Sequence, residues 1–382
     1  MLPLEAIRIV DFSQAMAGPA CSLLFADFGA EVIKVEPTEG EGSRRWGSAR
    51  FGPDDQFSGL YAALNRNKAS VALDLKSPEG LSAVEDLIRS ADVVLENFRP
   101  GVADRLGIGF ARCAELKPDI VYCSISGFGQ TGPLRDRAGL DMPLQAYAGH
   151  MSITGEEGRP SLRTGTSPID LLTGAHAAFG IMVALKERDR SRQGQQIDLS
   201  LYDTAVHLIT HYIADYTAGG DVPAKSGPYF AFLAPYGMFE GSDKEFYIGP
   251  DSRSFPALCR QIGRDDIVSD PRFLTNVDRL RNRDALHDEL IPLFKAQSAD
   301  HWVTMAHKLG IPASTVDTIP EVIDHAQAAA REMVVQTGAP GIRTGGIPIK
   351  LSRTPGVIRH DAPTLGSGNA RYVPAAEVKA TA

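Results

Sequence analysis

A carboxylate near the start of a long apolar helix is the feature of this sequence with the clearest chemical potential. Ser167-Pro168-Ile169-Asp170 opens a helical tract that runs to about Arg188. Serine suits the N-cap, proline the first helical position and an acid the first turn. On pattern alone Asp170 admits two readings. It is an acid that complements a helix N-terminus, or it is a nucleophile at a strand-to-helix junction, where small Thr173, Gly174 and Ala175 leave room for a bulky acyl group. A carboxylate nucleophile splits a difficult transfer into easier covalent steps, and one residue can fill both roles.

Other chemistries find less support. His207 and His211 have metal-ligand spacing on a helix but lack the Glu of an H-E-x-x-H motif and a third ligand, so no metal is expected. No G-x-S-x-G elbow, phosphate-binding P-loop or G-x-G-x-x-G follows a strand-like run, which weakens serine-hydrolase, phosphate-loop and dinucleotide readings. Cys21, Cys113, Cys123 and Cys259 form no C-x-x-C pair and read as buried free thiols. A net charge of −8 argues against a broad nucleic-acid footprint while leaving room for a local cationic site for an anionic ligand. With 43% hydrophobic and 23% charged residues in 382, the composition is that of a folded protein. Apolar stretches such as Ile181 to Leu185 fall short of the roughly 20 residues that span a bilayer, and a cytoplasmic protein without membrane partners is expected.

The elements that must position Asp170 begin as an alternation. Ile7 to Phe12 is strand-like, Pro19 to Phe28 helical with Gly29 as its stop, and Glu31 to Glu36 strand-like again. The unit recurs with the strand Ser70 to Leu75, a helix opening at Ser77-Pro78-Glu79, and the strand Val93 to Phe98. A third round runs from Ala111 to Leu116 into Ile120 to Ser126. Repeated crossovers between β-branched strands predict an α/β fold with a mainly parallel, Rossmann-like sheet. Ligands gather beyond the C-terminal strand ends of such sheets, so the loops Ser13 to Gly18, Glu36 to Arg45, Asn97 to Gly101 and Gly127 to Pro133 are where a site belongs. After the Asp170 helix come a polar turn, the strand Ile197 to Leu201 and an apolar helix around Asp203 to Tyr216. A Gly-, Pro- and aromatic-rich stretch to Tyr236 leads to Phe246 to Ile248 and amphipathic helices at Ser254 to Ile262, Arg281 to Gln297 and Ala299 to Leu309. The expected organisation is a large domain 1–201, a linker 202–224, a smaller α+β domain 225–325, a second linker 326–347, and a segment 348–382 that returns to the large domain. Strand-like pieces are expected from Gly338 onward and a frayed end over Val373 to Ala382.

Several motifs in fixed order carry a resemblance. They are Val10-Asp11-Phe12 with Ala17-Gly18-Pro19, Gly29-Ala30-Glu31-Val32-Ile33-Lys34-Val35-Glu36, Asn67-Lys68 and Glu96-Asn97-Phe98-Arg99-Pro100-Gly101. Ser126-Gly127-Phe128-Gly129-Gln130-Thr131-Gly132-Pro133, Gly194-Gln195-Gln196-Ile197-Asp198-Leu199-Ser200-Leu201, Asp270-Pro271-Arg272-Phe273 and Gly310-Ile311-Pro312 follow. From about residue 4 to 368 the chain resembles the class III CoA transferases, also called the CaiB/BaiF family.

What the resemblance implies is specific. Asp170, ahead of Thr173-Gly174, becomes the nucleophile that forms an aspartyl mixed anhydride with an acyl-CoA and then an aspartyl-CoA thioester, which an acceptor acid resolves. Coenzyme A thioester enters as substrate, succinyl-CoA is a common donor, and no cofactor is tightly bound. Asp141 is implied as an active-site neighbour. Ala15, Met16, Ala17, Leu73, Asn97, Phe98 and Arg105 are implied in CoA binding, and Arg44, Arg45, Arg66 and Arg99 are further candidates to meet its phosphates, each competing with a plain surface role. The N-terminus of the Asp170 helix and nearby glycine loops are expected to stabilise oxyanions. Acyl selectivity is expected from Gly149 to Arg163 and Tyr229 to Gly241, with Arg159 and Arg163 open either to a second carboxylate of the substrate or to solvent. A related alternative is the acyl-CoA racemase branch, but its proton-shuttling His falls at Leu140, which cannot accept a proton. Met16 stands where formyl-CoA transferases carry Gln, and Pro235 to Gly241 lacks their glycine run. A non-catalytic CoA-binding protein is a further alternative. The family's assembly implies a homodimer of interlocked ring-like chains.

Overall fold

A computed structural model of the chain describes residues 1–337 and 342–373. The strand-like pieces expected at 338–341 and the end expected to fray at 374–382 lie outside the described residues.

The alternation forms a parallel sheet. Its strands are β1 (Arg8–Asp11), β2 (Glu31–Glu36), β3 (Lys68–Ala72), β4 (Val93–Glu96), β5 (Val121–Ser126) and β6 (Gln195–Ser200). They lie in the order β3-β2-β1-β4-β5-β6, every pairing parallel. This is the doubly wound order, in which the sequence of strand addition reverses at β1 and leaves a crevice between the ends of β1 and β4. Every residue of β4 and β5 is buried, as a sheet covered on both faces requires.

The helices that bear on the sheet and the site include α1 (Ala17–Asp27), α2 (Pro78–Ser90), α3 (Val102–Arg105), α4 (Phe110–Leu116), α5 (Asp141–Tyr147), α6 (Pro168–Ser191), α7 (Leu201–Leu208) and α8 (Thr210–Thr217). Ser77 caps α2 as its pattern predicts, its side chain accepting from the Gly80 N–H, a contact worth about 1 kcal/mol. One core joins Ile9, Phe25, Val121, Ile169 and Ile181 between the sheet, α1 and α6. Another joins Val10, Ile33, Val71, Val84 and Ile88 on the opposite face. By length and composition α6 is apolar enough to cross a membrane, yet here it packs against α1 and two sheet strands.

The chain divides into two compact units, one of residues 1–150, 164–217 and 326–382, the other of 151–163 and 218–325. Residues 202–217, expected as linker, are helical and belong to the first unit, and the expected continuous helix there breaks at Ile209 between α7 and α8. The expected linker 326–347 holds a short helix, Ala326–Ala330, and a pairing of Val334–Gln336 with Arg343–Gly345. The second unit has a three-stranded antiparallel sheet of β7 (Gly237–Glu240), β8 (Glu245–Ile248) and β9 (Ala313–Thr315) in the order β9-β8-β7. Helices α9 (Phe255–Gln261), α10 (Arg283–Phe294) and α11 (Ala299–Lys308), among others, pack with it around Phe246, Leu258, Leu290 and Phe294. The described cysteines are free and buried.

Candidate active site

Beyond the C-terminal ends of β1, β4, β5 and β6 lies a cleft of about 480 Å³. Loop 15–17 after β1 lines it with Asn97, Phe98, Arg99 and Pro100 after β4, Ile125 to Gly127 at the end of β5, and Leu201 after β6. Arg137 to Pro143 close another wall, and Ser167 and Asp170 come from the start of α6. The topology thus brings residues of three of the four predicted loops to the cleft, while the fourth, Glu36 to Arg45 after β2, reaches it through Glu41, which accepts from the Ala15 N–H, and Trp46 just beyond it lines the cleft.

Backbone contacts too close for side chains build these walls. A Cβ on Gly127 would lie 2.5 Å from the Gly139 Cα, and one on Gly139 would lie 2.4 Å from the Gly127 Cα. This crossing sets Leu140 and Asp141 beside the end of β5. A Cβ on Gly174 would lie 2.6 Å from the Ala17 carbonyl oxygen, so the glycine lets α6 meet the start of α1. The small residues after Asp170 therefore do not open acyl space as expected. Thr173 is buried and donates to the Ile169 carbonyl, and Gly174 serves helix packing.

The start of α6 also departs from its pattern. Ser167 makes no capping hydrogen bond. Asp141 caps the helix from α5 instead, its Oδ2 accepting from the N–H groups of Ile169 at 2.9 Å and Asp170 at 3.0 Å. Its Oδ1 accepts from Gln145 Nε2 at 2.6 Å, and Gln145 Oε1 accepts from the Thr164 N–H at 3.0 Å. Asp141 and Gln145 are 3% and 1% exposed. Two N–H groups expected to stabilise an oxyanion are thereby occupied. The first turn of α1, whose N-cap Met16 offers no side-chain bond, remains as a donor surface beside the cleft.

With another residue performing the cap, the Asp170 carboxylate has no hydrogen bond among the described residues. Burial, followed by the nearby Asp141 charge, pushes its pKa up to about 7. An acid poised near neutrality is a mark of functional sites.

Loop 13–17 is fixed by half-buried Asn97 and by buried Glu41 and Lys34. Asn97 brackets the Gln14 peptide, accepting from its N–H and donating to its carbonyl, each at 2.8 Å. Ala15 holds a left-handed φ of 64°, and its N–H donates to Glu41 at 2.8 Å. Glu41 pairs with buried Lys34 at 2.9 Å, and Lys34 donates to the Ser13 carbonyl.

Of the residues implied in CoA binding, Ala15, Met16, Ala17, Asn97 and Phe98 line the cleft, and the Asn97 amide is already committed to Gln14. Leu73 packs into the core beside α2, and Arg105 ends α3; neither forms part of the cleft wall. Among the arginine candidates, Arg99 lines the cleft. Arg44 is buried in a two-point pair with Glu36, and Arg66 in one with Asp27, so both are structural. Arg45 is exposed and donates to the Glu39 carbonyl. Arg159 and Arg163 fall in the second unit. Leu140 presents hydrocarbon where a racemase histidine would stand. His176 and His207 face each other with ring centroids 5.5 Å apart, and among the described residues no group of three or more metal-ligating side chains occurs.

Sequence reasoning missed Arg137, whose guanidinium lies 5.0 Å from the Tyr147 ring centroid in the cleft wall, and Gln145. The one available signal was the four-residue spacing of Asp141 and Gln145, which places both on one helix face.

Comparison with known proteins places these features in a family. The pattern of CoA-transferase family III matches residues 4–369. The acetyl-CoA:oxalate CoA-transferase of Acetobacter aceti is 37% identical, over 92% of this chain and 89% of that protein. The succinyl-CoA–D-citramalate CoA-transferase of Chloroflexus aurantiacus is 35% identical, over 96% and 92%. A crystal structure of a CaiB/BaiF family protein from Brucella suis, 33% identical, superposes with a TM-score of 0.88, over 97% of this chain and 98% of that one.

Proposed function

This chain belongs to CoA-transferase family III and is a transferase enzyme, and from that premise we propose that it moves CoA from an acyl-CoA to a free carboxylic acid through covalent intermediates on Asp170. The observation that carries the reading is the state of that residue: a carboxylate in the switch-point cleft, relieved of helix capping by Asp141.

The Asp170 carboxylate attacks the thioester carbonyl carbon, the C–S bond breaks, and CoA leaves as thiolate, giving a mixed anhydride. The thiolate returns to the aspartyl carbonyl, and the donor acid departs as carboxylate from an aspartyl-CoA thioester. The acceptor carboxylate attacks that thioester, expels thiolate and forms a second anhydride. Attack of the thiolate on the acceptor-side carbonyl yields the new acyl-CoA and regenerates Asp170. No net proton is consumed, and water must stay out because both intermediates hydrolyse. The N–H groups at the start of α1 are our candidates for stabilising charge on the carbonyl oxygens.

Loop 15–17 and residues 97–99 are the CoA-facing surface in this reading, with Leu73 and Arg105 as outlying contacts for the nucleotide end. Succinyl-CoA is the proposed donor, in keeping with the name of the Chloroflexus aurantiacus relative, and small dicarboxylic acids are the first acceptors to try. We place the enzyme in the cytoplasm and assign it a homodimer. Phe179, Met182 and Val183 on α6 stay exposed beside a groove that Ile349 and Leu351 share, an apolar face for the second copy to cover.

The test is chemical trapping. Protein incubated with succinyl-CoA or acetyl-CoA and then hydroxylamine is digested and its peptides weighed. A hydroxamate on Asp170 is expected. An unmodified Asp170 with a donor that supports turnover refutes the covalent route.

A further inference from the structure

We propose that Gln145 is a positioning residue for Asp170, acting through Asp141; the inference rests on the nucleophilic reading of Asp170. Both ends of the Gln145 amide finish on the machinery that presents Asp170. Nε2 donates to Asp141 Oδ1, the same carboxylate whose Oδ2 receives the Ile169 and Asp170 N–H groups. Oε1 accepts from the Thr164 N–H, on the segment that leads into α6. A carboxylate only accepts and a backbone N–H only donates, so the amide orientation is fixed by its partners. At 1% exposure no water replaces either bond.

Without Gln145, Asp141 is held by its contacts to α6 alone and can turn about its side-chain bonds. The first turn of α6, and the Asp170 side chain with it, then loses the fixed point that aims it into the cleft. A buried glutamine that only filled space would have no such directional effect. Other ionisable groups at this end are Tyr147 on α5, Asp170 and His176 on α6, and Tyr202, Asp203 and His207 on α7. None of their side chains is hydrogen-bonded to Gln145 or Asp141 among the described residues, and the two histidine rings face each other.

Two variants separate positioning from packing. Gln145→Met keeps the volume and removes both bonds. Its kcat is expected to fall about 10–100-fold with the KM for acyl-CoA changed by less than about threefold. Gln145→Glu is a conditional isostere. Its acid form donates to Asp141 and accepts from Thr164 as the amide does, whereas its ionised form faces Asp141 with like charge. Its kcat relative to the parent is therefore expected to fall as pH rises, a limb that the parent lacks. A parent-like kcat for Gln145→Met, or an unchanged profile for Gln145→Glu, overturns the proposal.

A readout that needs no turnover keeps this separate from the role of Asp170. Amide hydrogen exchange at Ile169 and Asp170 is expected to accelerate about tenfold in Gln145→Met, with exchange in β1 unchanged. Unchanged exchange at both amides refutes the role of Gln145, while an inactive parent protein refutes the transferase reading.

Discussion

Replacing Asp170 by Asn is expected to abolish turnover and, at neutral to alkaline pH, to stabilise the protein. In the folded chain the Asp170 pKa is raised from 3.8 to about 7, first by burial and then by the Asp141 charge. The folded state therefore holds a proton that the unfolded chain releases at about pH 4. Parent stability from this group falls as pH rises from about 4 to about 7 and remains lower above. The difference of about 3 units corresponds to a ceiling of about 4 kcal/mol at about 1.4 kcal/mol per unit. Asp170 lines an open cleft, so solvent reduces this to about 1–3 kcal/mol. Asparagine has nearly the same shape and no charge, and the cap is untouched because Asp141 binds backbone N–H groups. Thermal and urea unfolding of parent and Asp170→Asn at about pH 4 and about pH 8 should give equal stability at the lower pH and a more stable variant at the higher. Parallel pH dependence of the two proteins would refute the claim that burial and Asp141 hold this acid near neutrality.

The same titration predicts that kcat/KM falls below an apparent pKa of about 7, since the attacking group must be ionised; a pH–rate profile flat from about pH 5 to about pH 8 would contradict it. Gly174→Ala adds a Cβ 2.6 Å from the Ala17 carbonyl oxygen. Despite a helix-propensity gain of about 1 kcal/mol, a net loss of about 1–2 kcal/mol is expected in urea unfolding, with a raised KM for acyl-CoA as α1 shifts. Glu41→Gln leaves Lys34 without the carboxylate charge it pairs with and weakens the hold on Ala15. A stability loss of up to about 3 kcal/mol should accompany a lower kcat/KM, and unaltered kinetics would show that loop 15–17 does not need this anchor. Light scattering should report a dimer at micromolar concentration, and a monomer would count against the apolar face of α6 as an interface.

The alternation of β-branched strands and capped helices was legible because its signals are local. Glu31–Glu36 and the Ser77 cap follow from neighbours in the chain. Strand ends drifted where polar residues continue a strand, as at Lys68, whose ammonium is buried against Asp11 and Asn65 rather than exposed. The capping of α6 was not legible. Ser167 has the right chemistry at the right position, but Asp141 reaches the same N–H groups from a separate helix, and no local pattern reports that. Arg44 and Arg66 failed as phosphate candidates for a similar reason: a charged side chain in a loop gives no sign that a buried carboxylate awaits it. Asp170 itself was placed by the motif order, and its freedom from capping could be seen only in three dimensions.

The crossing of Gly127 and Gly139 also bears on how such an enzyme could be retargeted. Two backbones that touch without side chains fix the main chain at Gly139, immediately ahead of Leu140 and α5. Leu140 and Met142 line the cleft and are exposed, at 67% and 43%, and exposed substitutions usually change stability by within about 0.5 kcal/mol. In the proposed reading the cleft wall beside Asp170 is a close-packed backbone with exchangeable side chains, and a library confined to positions 140 and 142 is the way to explore new acids while leaving Asp170 itself unchanged.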